Sequence, residues 1–359
     1  MRAPSRPIRR ALLLGASAAT AAAMIVPAVT SSASAQPGLA ASTSPGYPPP
    51  GGIYAPFTNC PLKNPVMQES LSGDATGCVA GDIQGGSVTI GNITTPVKFP
   101  VTVQFGIWDP PNATFGGDNP GGIQQFAGGI LPPLSGLSAM IATKPDPIPE
   151  SLTTALGCPS SDATVENLCQ QAQAKGGVYN QVSALAKEAG QLTNFGLFTW
   201  TQRVKFQLIN PLLGSNCFIG SDNNPIVLNP QVTLGPGGQF VALPDPNPSI
   251  HPNTVVLGLI GAVATDNTFV APGVTGCGPG GAANIAVDQA LDAGTGLPAA
   301  SGTSNFTFTG NLWLADCFAS ANQDSILLSA FQDSTSGGKS ARRSITASDL
   351  PQFGIHPGS

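Results

Sequence analysis

The chain has two histidines, His251 in a Pro/Asn-rich loop and His356 near the C-terminal end. A serine or cysteine hydrolase would have to use one of them as its general base. The motifs that often mark enzymes (G-x-S-x-G, H-E-x-x-H and the Walker and Rossmann glycine patterns) do not occur. The sequence therefore favours a protein without catalytic activity, and we interpret His251 as a loop residue.

Carboxylates offer two further kinds of site. Glycoside hydrolysis needs two of them at a set separation, and a pair such as Asp222 with Asp245 has no motif to support it. Calcium prefers oxygen ligands, which the runs 116–119 (GGDN) and 220–224 (GSDNN) carry. Most acids stand beside Gly, Pro or Asn, where Asp is favoured because its side chain bonds to the turn backbone. Turns are thus the preferred interpretation, and we expect no metal and no cofactor.

Three tryptophans, Trp108, Trp200 and Trp313, could stack on sugar rings. Each lies at or within an apolar run, so core packing is the favoured interpretation. Trp108, at the end of a predicted strand, is the best candidate for exposure.

The seven cysteines all lie beyond residue 35, at Cys60, Cys78, Cys158, Cys169, Cys217, Cys277 and Cys317. An exported chain meets an oxidising environment in which disulfides persist. No two form a C-x-x-C motif, which argues against a zinc cluster. Spacing suggests Cys60 with Cys78 and Cys158 with Cys169, although spacing alone does not determine connectivity.

Residues 1–35 are typical of a secretory signal peptide. Four arginines precede an apolar stretch at 11–29 and an A-x-A site, so we expect cleavage after Ala35. A membrane anchor is the less favoured alternative, because the stretch is rich in Ala and interrupted by a proline. The arginine pair at 9–10 leaves both the general secretory and the twin-arginine route open.

Charge limits the partners of the mature chain. Cleavage would remove four arginines and no acid, which takes the formal net charge from −5 to −9. This balance argues against nucleic acid and anionic lipid headgroups, and we expect no membrane span in the mature form. Because only 9% of residues are charged, a Glu/Lys-rich helical bundle is excluded. A cell-wall or other envelope component is the expected partner, and the oligomeric state is left open.

The elements that position these residues are mostly strands. Period-two alternation predicts strands over 87–90, 101–107, 203–208, 226–228, 255–263 and 306–309. Residues 163–175 and 178–189, rich in Ala and Gln with apolar spacings of three and four, predict two short helices. Segment 284–292 is at most a short helix, and the Gly-Pro-Gly-Gly run at 235–238 predicts a turn.

These patterns predict a mainly β fold class, an antiparallel two-layer sandwich or distorted barrel with a small helical insert at about 160–190. The expected organisation is a signal peptide (1–35), a flexible Pro/Gly/Ser-rich spacer (36–55), one β-rich domain (56–333) with its helical insert at 150–190, and a polar tail (334–359).

Several segments resemble a family of secreted actinobacterial proteins that has no assigned function. They are N-C-P-L-K-N-P at 59–65, N-P-L-L-G-S-N-C-F-I-G-S at 210–221, D-N-T-F-V-A-P-G at 266–273, G-C-G at 276–278 and G-L-P-A-A-S-G at 296–302. The second run is the most specific of them.

This resemblance implies a disulfide between Cys217 and Cys277, and it supports the pairing of Cys60 with Cys78. It implies no catalytic residue. Cys317 lies outside the resembled pattern, and we expect its thiol to be unpaired at a strand end.

The function expected from the sequence is that of a secreted, disulfide-stabilised, non-enzymatic protein of the extracellular space or cell envelope, with a structural or binding role. A hydrolase acting on a cell-wall or extracellular polymer is the alternative. A pore or barrel in an outer lipid layer is a weaker one, because alternating strands and few charges also fit it.

Overall fold

The fold is mainly β and antiparallel, in a computed structural model that describes residues 51–61, 75–109, 129–131, 140–196, 198–251, 254–317 and 330. This confirms the predicted fold class. The described strands are β1 (Ala75–Ile90), β2 (Ile93–Pro96), β3 (Val101–Asp109), β4 (Gly129–Leu131), β5 (Met140–Ala142), β6 (Asp146–Ser151), β7 (Gln181–Gly196), β8 (Thr199–Ile209), β9 (Phe218–Ile219), β10 (Ile226–Leu228), β11 (Gln231–Pro244), β12 (Thr254–Asp266), β13 (Val274–Thr275) and β14 (Asn305–Cys317). The described α-helices are α1 (Leu152–Ala155), α2 (Ala163–Lys175) and α3 (Ala283–Thr295).

All these strands belong to one sheet that curls into a half-barrel. Its long central strands lie in the order β11-β12-β14-β1-β3, with β4 and β5 on the far side of β3. A second group, in which β7 lies between β6 and β8, joins the first where β8 meets β11 at the pair Thr199–Gln231. The half-barrel corresponds to the distorted-barrel alternative of the sequence prediction.

Three bulges in neighbouring strand pairs help the sheet to curl. They lie between Ile83 and Gly85 in β1, between Leu234 and Gln239 in β11, and between Leu259 and Ala262 in β12. A bulge bends its strand and increases the local twist. Glycine is needed where backbones approach closely, since a Cβ on Gly310 would collide with the carbonyl oxygen of Asp82. The bulge in β11 contains the Gly-Pro-Gly-Gly run at 235–238, so the turn predicted there is instead part of a bulged strand.

The predicted helix at 178–189 is wrong, because these residues belong mostly to β7. Intrinsic propensity favoured a helix, but Val182, Ala184 and Ala186 alternate with outward side chains and face the inside of the curl. Tertiary packing overrides propensity here. The helical insert thus consists of α1 and α2 and ends near residue 175, with a 3₁₀ turn at Gly177–Tyr179.

The other predicted helices form. The carboxylate of Asp162 caps α2 by accepting hydrogen bonds from the backbone N–H groups of Thr164 and Val165 (2.9 and 3.0 Å). Segment 284–292 lies within α3, a full helix that ends at Gly296 in the left-handed conformation (φ 72°). The buried residues of α1, α2 and α3 join the largest hydrophobic cluster, on the concave side of the sheet.

Residues 51–61, called the outer segment below, cover the outer face of the sheet. Tyr54 and Phe57, each 2% exposed, pack in a cluster that includes Val241, Val256 and Ala315. Tyr54 belongs to the segment 36–55 that the sequence analysis expected as a spacer, and residues 36–50 of that segment lie outside the described residues. The signal peptide, the tail at 334–359, His356 and the run 116–119 lie outside the described residues.

Candidate functional site

An apolar cavity occupies the concave side of the sheet. It encloses about 960 Å³ of empty space, counting the part open to solvent. Its wall is formed by inward side chains of the sheet and by residues of α1 and α3, among them Val88, Ile90, Val182, Ala184, Ala186, Phe206, Leu208, Ala155, Leu291 and Phe308. Apolar walls of this kind are typical of small-molecule sites.

The cavity owes much of its space to two alanines of β7. Successive strand residues face opposite sides of a sheet, so Ala184 and Ala186 point inward while Leu185 between them points outward. On the neighbouring strand β8, Phe206 pairs with Ala186 and lines the same cavity. A large side chain at either alanine would occupy the space that the cavity now offers.

The charged residues of the lining, Lys144, Asp146 and Glu150, lie in and just before β6, and we call this side of the cavity its mouth. Lys144 and Glu150 are exposed there, with the Lys144 ammonium 5.5 Å from the centre of the Phe99 ring. Asp146 accepts hydrogen bonds at Oδ1 from the backbone N–H groups of Lys98 (2.7 Å) and Phe99 (3.1 Å). This carboxylate thereby ties the chain after β2 to the start of β6.

The interior offers little for polar recognition. Of the lining threonines, Thr295 already donates its hydroxyl hydrogen to the Leu291 carbonyl oxygen (2.6 Å). The charged lining side chains, Lys144, Asp146 and Glu150, are all at the mouth. Transfer of hydrocarbon from water into such an interior is favourable, so the arrangement is suited to an apolar ligand.

The helix α3, which closes one side of the cavity, is held by two acids. Asp292 accepts a hydrogen bond from the Val274 backbone N–H (2.7 Å), and Asp288 accepts one from that of Cys277 (2.8 Å). Burial raises the pKa of Asp292 above its ordinary value; the hydrogen bond from Val274 acts in the opposite direction, and the charge of Asp288 adds to the rise.

Asp82 on β1 is another carboxylate with a raised pKa, and it does not line the cavity. Asp82 is opposite Asn311 in the register and accepts a hydrogen bond from its backbone N–H (3.1 Å). Burial is the main cause that raises the pKa of Asp82, and hydrogen bonds from Gln84 and Asn311 lower it in part.

Three disulfides join Cys60 with Cys78, Cys158 with Cys169, and Cys217 with Cys277, with Cα–Cα distances of 5.8, 5.8 and 4.2 Å. These are the pairs that spacing and the resemblance suggested. The first ties the outer segment to β1, and the last ties the loop before α3 to β9. Cys317 ends β14, paired with Thr254 in the register, and its side chain lies outside the described part.

The structure separates the two acids considered for glycoside hydrolysis into different environments. Asp222 is exposed and forms an ion pair with Lys205 (2.6 Å). Asp245 is 4% exposed. Its carboxylate accepts a hydrogen bond from Tyr54 Oη (2.7 Å), and it forms a second hydrogen bond with Nδ1 of His251 (3.1 Å). Sequence reasoning missed this buried cluster, since Tyr54 is 191 residues away from Asp245 in the chain.

His251 is 1% exposed and lies beside Asp245 beneath the outer segment, rather than on an open loop. An Asp–His pair recurs in hydrolases, where the carboxylate orients the imidazole. Here the pair is shielded from solvent, so it is placed to fix the loop after β11 rather than to meet a polymer.

The remaining sequence candidates lie in packed or turn positions. Trp200 and Trp313 pack against hydrophobic clusters, as expected for core residues. At 220–224 the backbone N–H of Asn224 bonds to the Ser221 hydroxyl oxygen (3.0 Å), which is turn chemistry. Within the described ranges, no three His, Cys, Asp or Glu side chains gather as metal ligands would. The Trp108 side chain lies outside the described part.

None of the helices described above is long and apolar enough to cross a membrane. No protein-family model, no curated protein and no solved structure matches this chain. The resemblance to secreted actinobacterial proteins thus stays a prediction.

Proposed function

We propose that this chain is an exported, disulfide-stabilised binding protein that holds the hydrocarbon part of a small apolar molecule in the cavity inside its sheet. The observation that carries the proposal is the apolar wall of this cavity, which has about 960 Å³ of empty space with the part open to solvent counted, and whose charged lining residues lie together in and just before β6. Each methylene buried from water contributes about 0.8 kcal/mol, so a chain of modest length would supply useful affinity without polar contacts inside.

The scaffold around the cavity supports this role because it is held from several sides. The disulfide Cys217–Cys277 and the acids of α3 fix the helix that closes one wall. A preformed site loses less conformational entropy when a ligand binds than a site that must first order itself. Rigid walls therefore support a ligand-binding role rather than a purely structural one.

The mouth supports a ligand whose head group stays outside the apolar interior. Lys144 and Glu150 carry opposite charges there, and Asp146 is occupied by backbone N–H groups. We expect the chain of the ligand, rather than the charge of its head group, to determine affinity. An exported protein meets the lipids of the cell envelope, which are the proposed source of the ligand.

The proposed role is not catalytic. The Asp245–His251 pair that a hydrolase could use is almost completely buried and lies beneath Tyr54. At the cavity mouth, Asp146 already accepts two backbone hydrogen bonds, an arrangement that fixes the chain rather than activates water for attack on a polymer.

The test is a titration of the mature, delipidated protein with cis-parinaric acid, a fluorescent fatty acid, followed by displacement with palmitic acid and hexadecanol. We expect saturable binding that both compounds displace. Ala186→Phe, which places a ring in the cavity, should weaken binding about tenfold or more, equivalent to about 1.4 kcal/mol.

Leu185→Phe is the matched control, because this side chain lies on the opposite face of the same strand. It should leave the affinity unchanged. Equal affinity of the Ala186→Phe variant and the wild type, or the lack of any binding to the wild type, would contradict the proposal.

A further inference from the structure

A second apolar cavity lies on the concave side, next to the first. It has about 530 Å³ of empty space, counting the part open to solvent. Most of its lining is apolar, including Val103, Phe105, Leu192, Phe195, Trp200, Ala264 and Phe308, and Asp82, Thr309 and Asn311 add polar groups. Phe308 also lines the first cavity. This side chain therefore stands at the boundary between the two spaces.

The surroundings of Phe308 suit it to this position. Its direct cross-strand neighbours are small, Gly86 on β1 and Ala264 on β12. One face of its ring stacks on Phe306, with centroids 4.5 Å apart and planes 21° from parallel. The ring packs against the edge of the largest hydrophobic cluster and is only half-buried, because it also borders both cavities.

We infer that Phe308 is a specificity-determining residue that ends the first cavity and so sets the longest hydrocarbon chain the protein accommodates. The inference rests on the proposed function. With a smaller side chain at this position, the two cavities would join into one mainly apolar channel, and a longer chain would continue into the space beside Trp200.

The test measures affinity for a series of saturated fatty acids of increasing length, by displacement of cis-parinaric acid. For the wild type we expect the affinity to rise with length and then to level off. In Phe308→Ala the rise should continue beyond that length, by up to about fourfold per added methylene, the ratio that corresponds to about 0.8 kcal/mol. Phe308→Leu should extend the rise by fewer methylenes and serves if the alanine variant does not fold.

A second substitution separates a longer cavity from a merely looser protein. Ala264 lines the second cavity and not the first, so Ala264→Met would fill the added space. The double variant Phe308→Ala/Ala264→Met should level off again at the wild-type length. A loosened protein would instead keep the extended profile.

Two outcomes would overturn the inference, and they differ. If the wild type binds fatty acids but both Phe308 variants level off at its chain length, the role of Phe308 is wrong while the proposed function stands. If no fatty acid binds the wild type, the proposed function and this inference fail together.

Discussion

Removal of the disulfide between Cys217 and Cys277 should destabilise the protein more than removal of the one between Cys158 and Cys169. The perturbation is replacement of both cysteines of a pair by alanine. The two pairs differ in the separation of their cysteines along the chain, which is 60 residues for the first and 11 for the second. A longer closed loop restricts the unfolded chain more strongly.

The chain-entropy relation gives the expected magnitudes. Loss of the longer loop costs about 4 kcal/mol of unfolding free energy at room temperature, and loss of the shorter one costs about 3 kcal/mol. Packing widens this difference, because both Cys217 and Cys277 are completely buried whereas Cys158 is only partly so. The first pair also fixes the loop that Asp288 binds, so we expect its removal to loosen the wall formed by α3.

The assay is guanidinium unfolding of the two double variants and the wild type, followed by circular dichroism and tryptophan fluorescence. Coincident transitions by both probes would allow the free energies to be compared. An equal or smaller loss for the Cys217/Cys277 variant than for the Cys158/Cys169 variant would refute the reasoning from loop length and burial.

Three further substitutions test single contacts. Tyr54→Phe removes a hydrogen bond to buried Asp245 and should cost about 1–3 kcal/mol in urea unfolding, whereas Tyr179→Phe at a half-buried site should cost little. Burial raises the folded pKa of Asp292 above 3.8, so its contribution to stability falls as pH rises from about 3.8 to the folded pKa and then stays constant. Asp292→Asn should flatten that part of the stability–pH curve, and an unchanged curve would exclude the role. Asp146→Ala removes the acceptor that ties the cavity mouth together, so stopped-flow release of cis-parinaric acid should become faster; an unchanged rate would place the entry route elsewhere.

Local sequence patterns predicted much of the fold. Strands such as β8 and β14 show their alternation because one face is buried, and α2 has an Asp cap and an apolar stripe that are visible in the sequence. Segment 178–189 misled because Ala and Gln favour helices. Its alternation of inward and outward residues arises from antiparallel pairing with β8, the next strand along the chain, and the intrinsic propensity of the segment does not reveal that pairing.

The cavity could not be predicted from the sequence in the same way. It exists because Ala184 and Ala186 leave space opposite strands that come from other parts of the chain, and an alanine in a sequence does not reveal what faces it. The Tyr54–Asp245–His251 cluster was hidden for the same reason, since 191 residues separate its tyrosine from its aspartate. The resemblance to secreted actinobacterial proteins implied the disulfide between Cys217 and Cys277, and it implied no ligand.

The most direct test of the binding role is a crystal structure of the mature protein grown with a terminally brominated fatty acid. The anomalous signal of bromine locates the end of the chain without reliance on weak ligand density. We predict a single strong bromine peak inside the first cavity, near Phe206 and Phe308, with the carboxylate at the mouth beside Lys144. A cavity without bromine, with the peak on the outer surface of the sheet, would contradict the account.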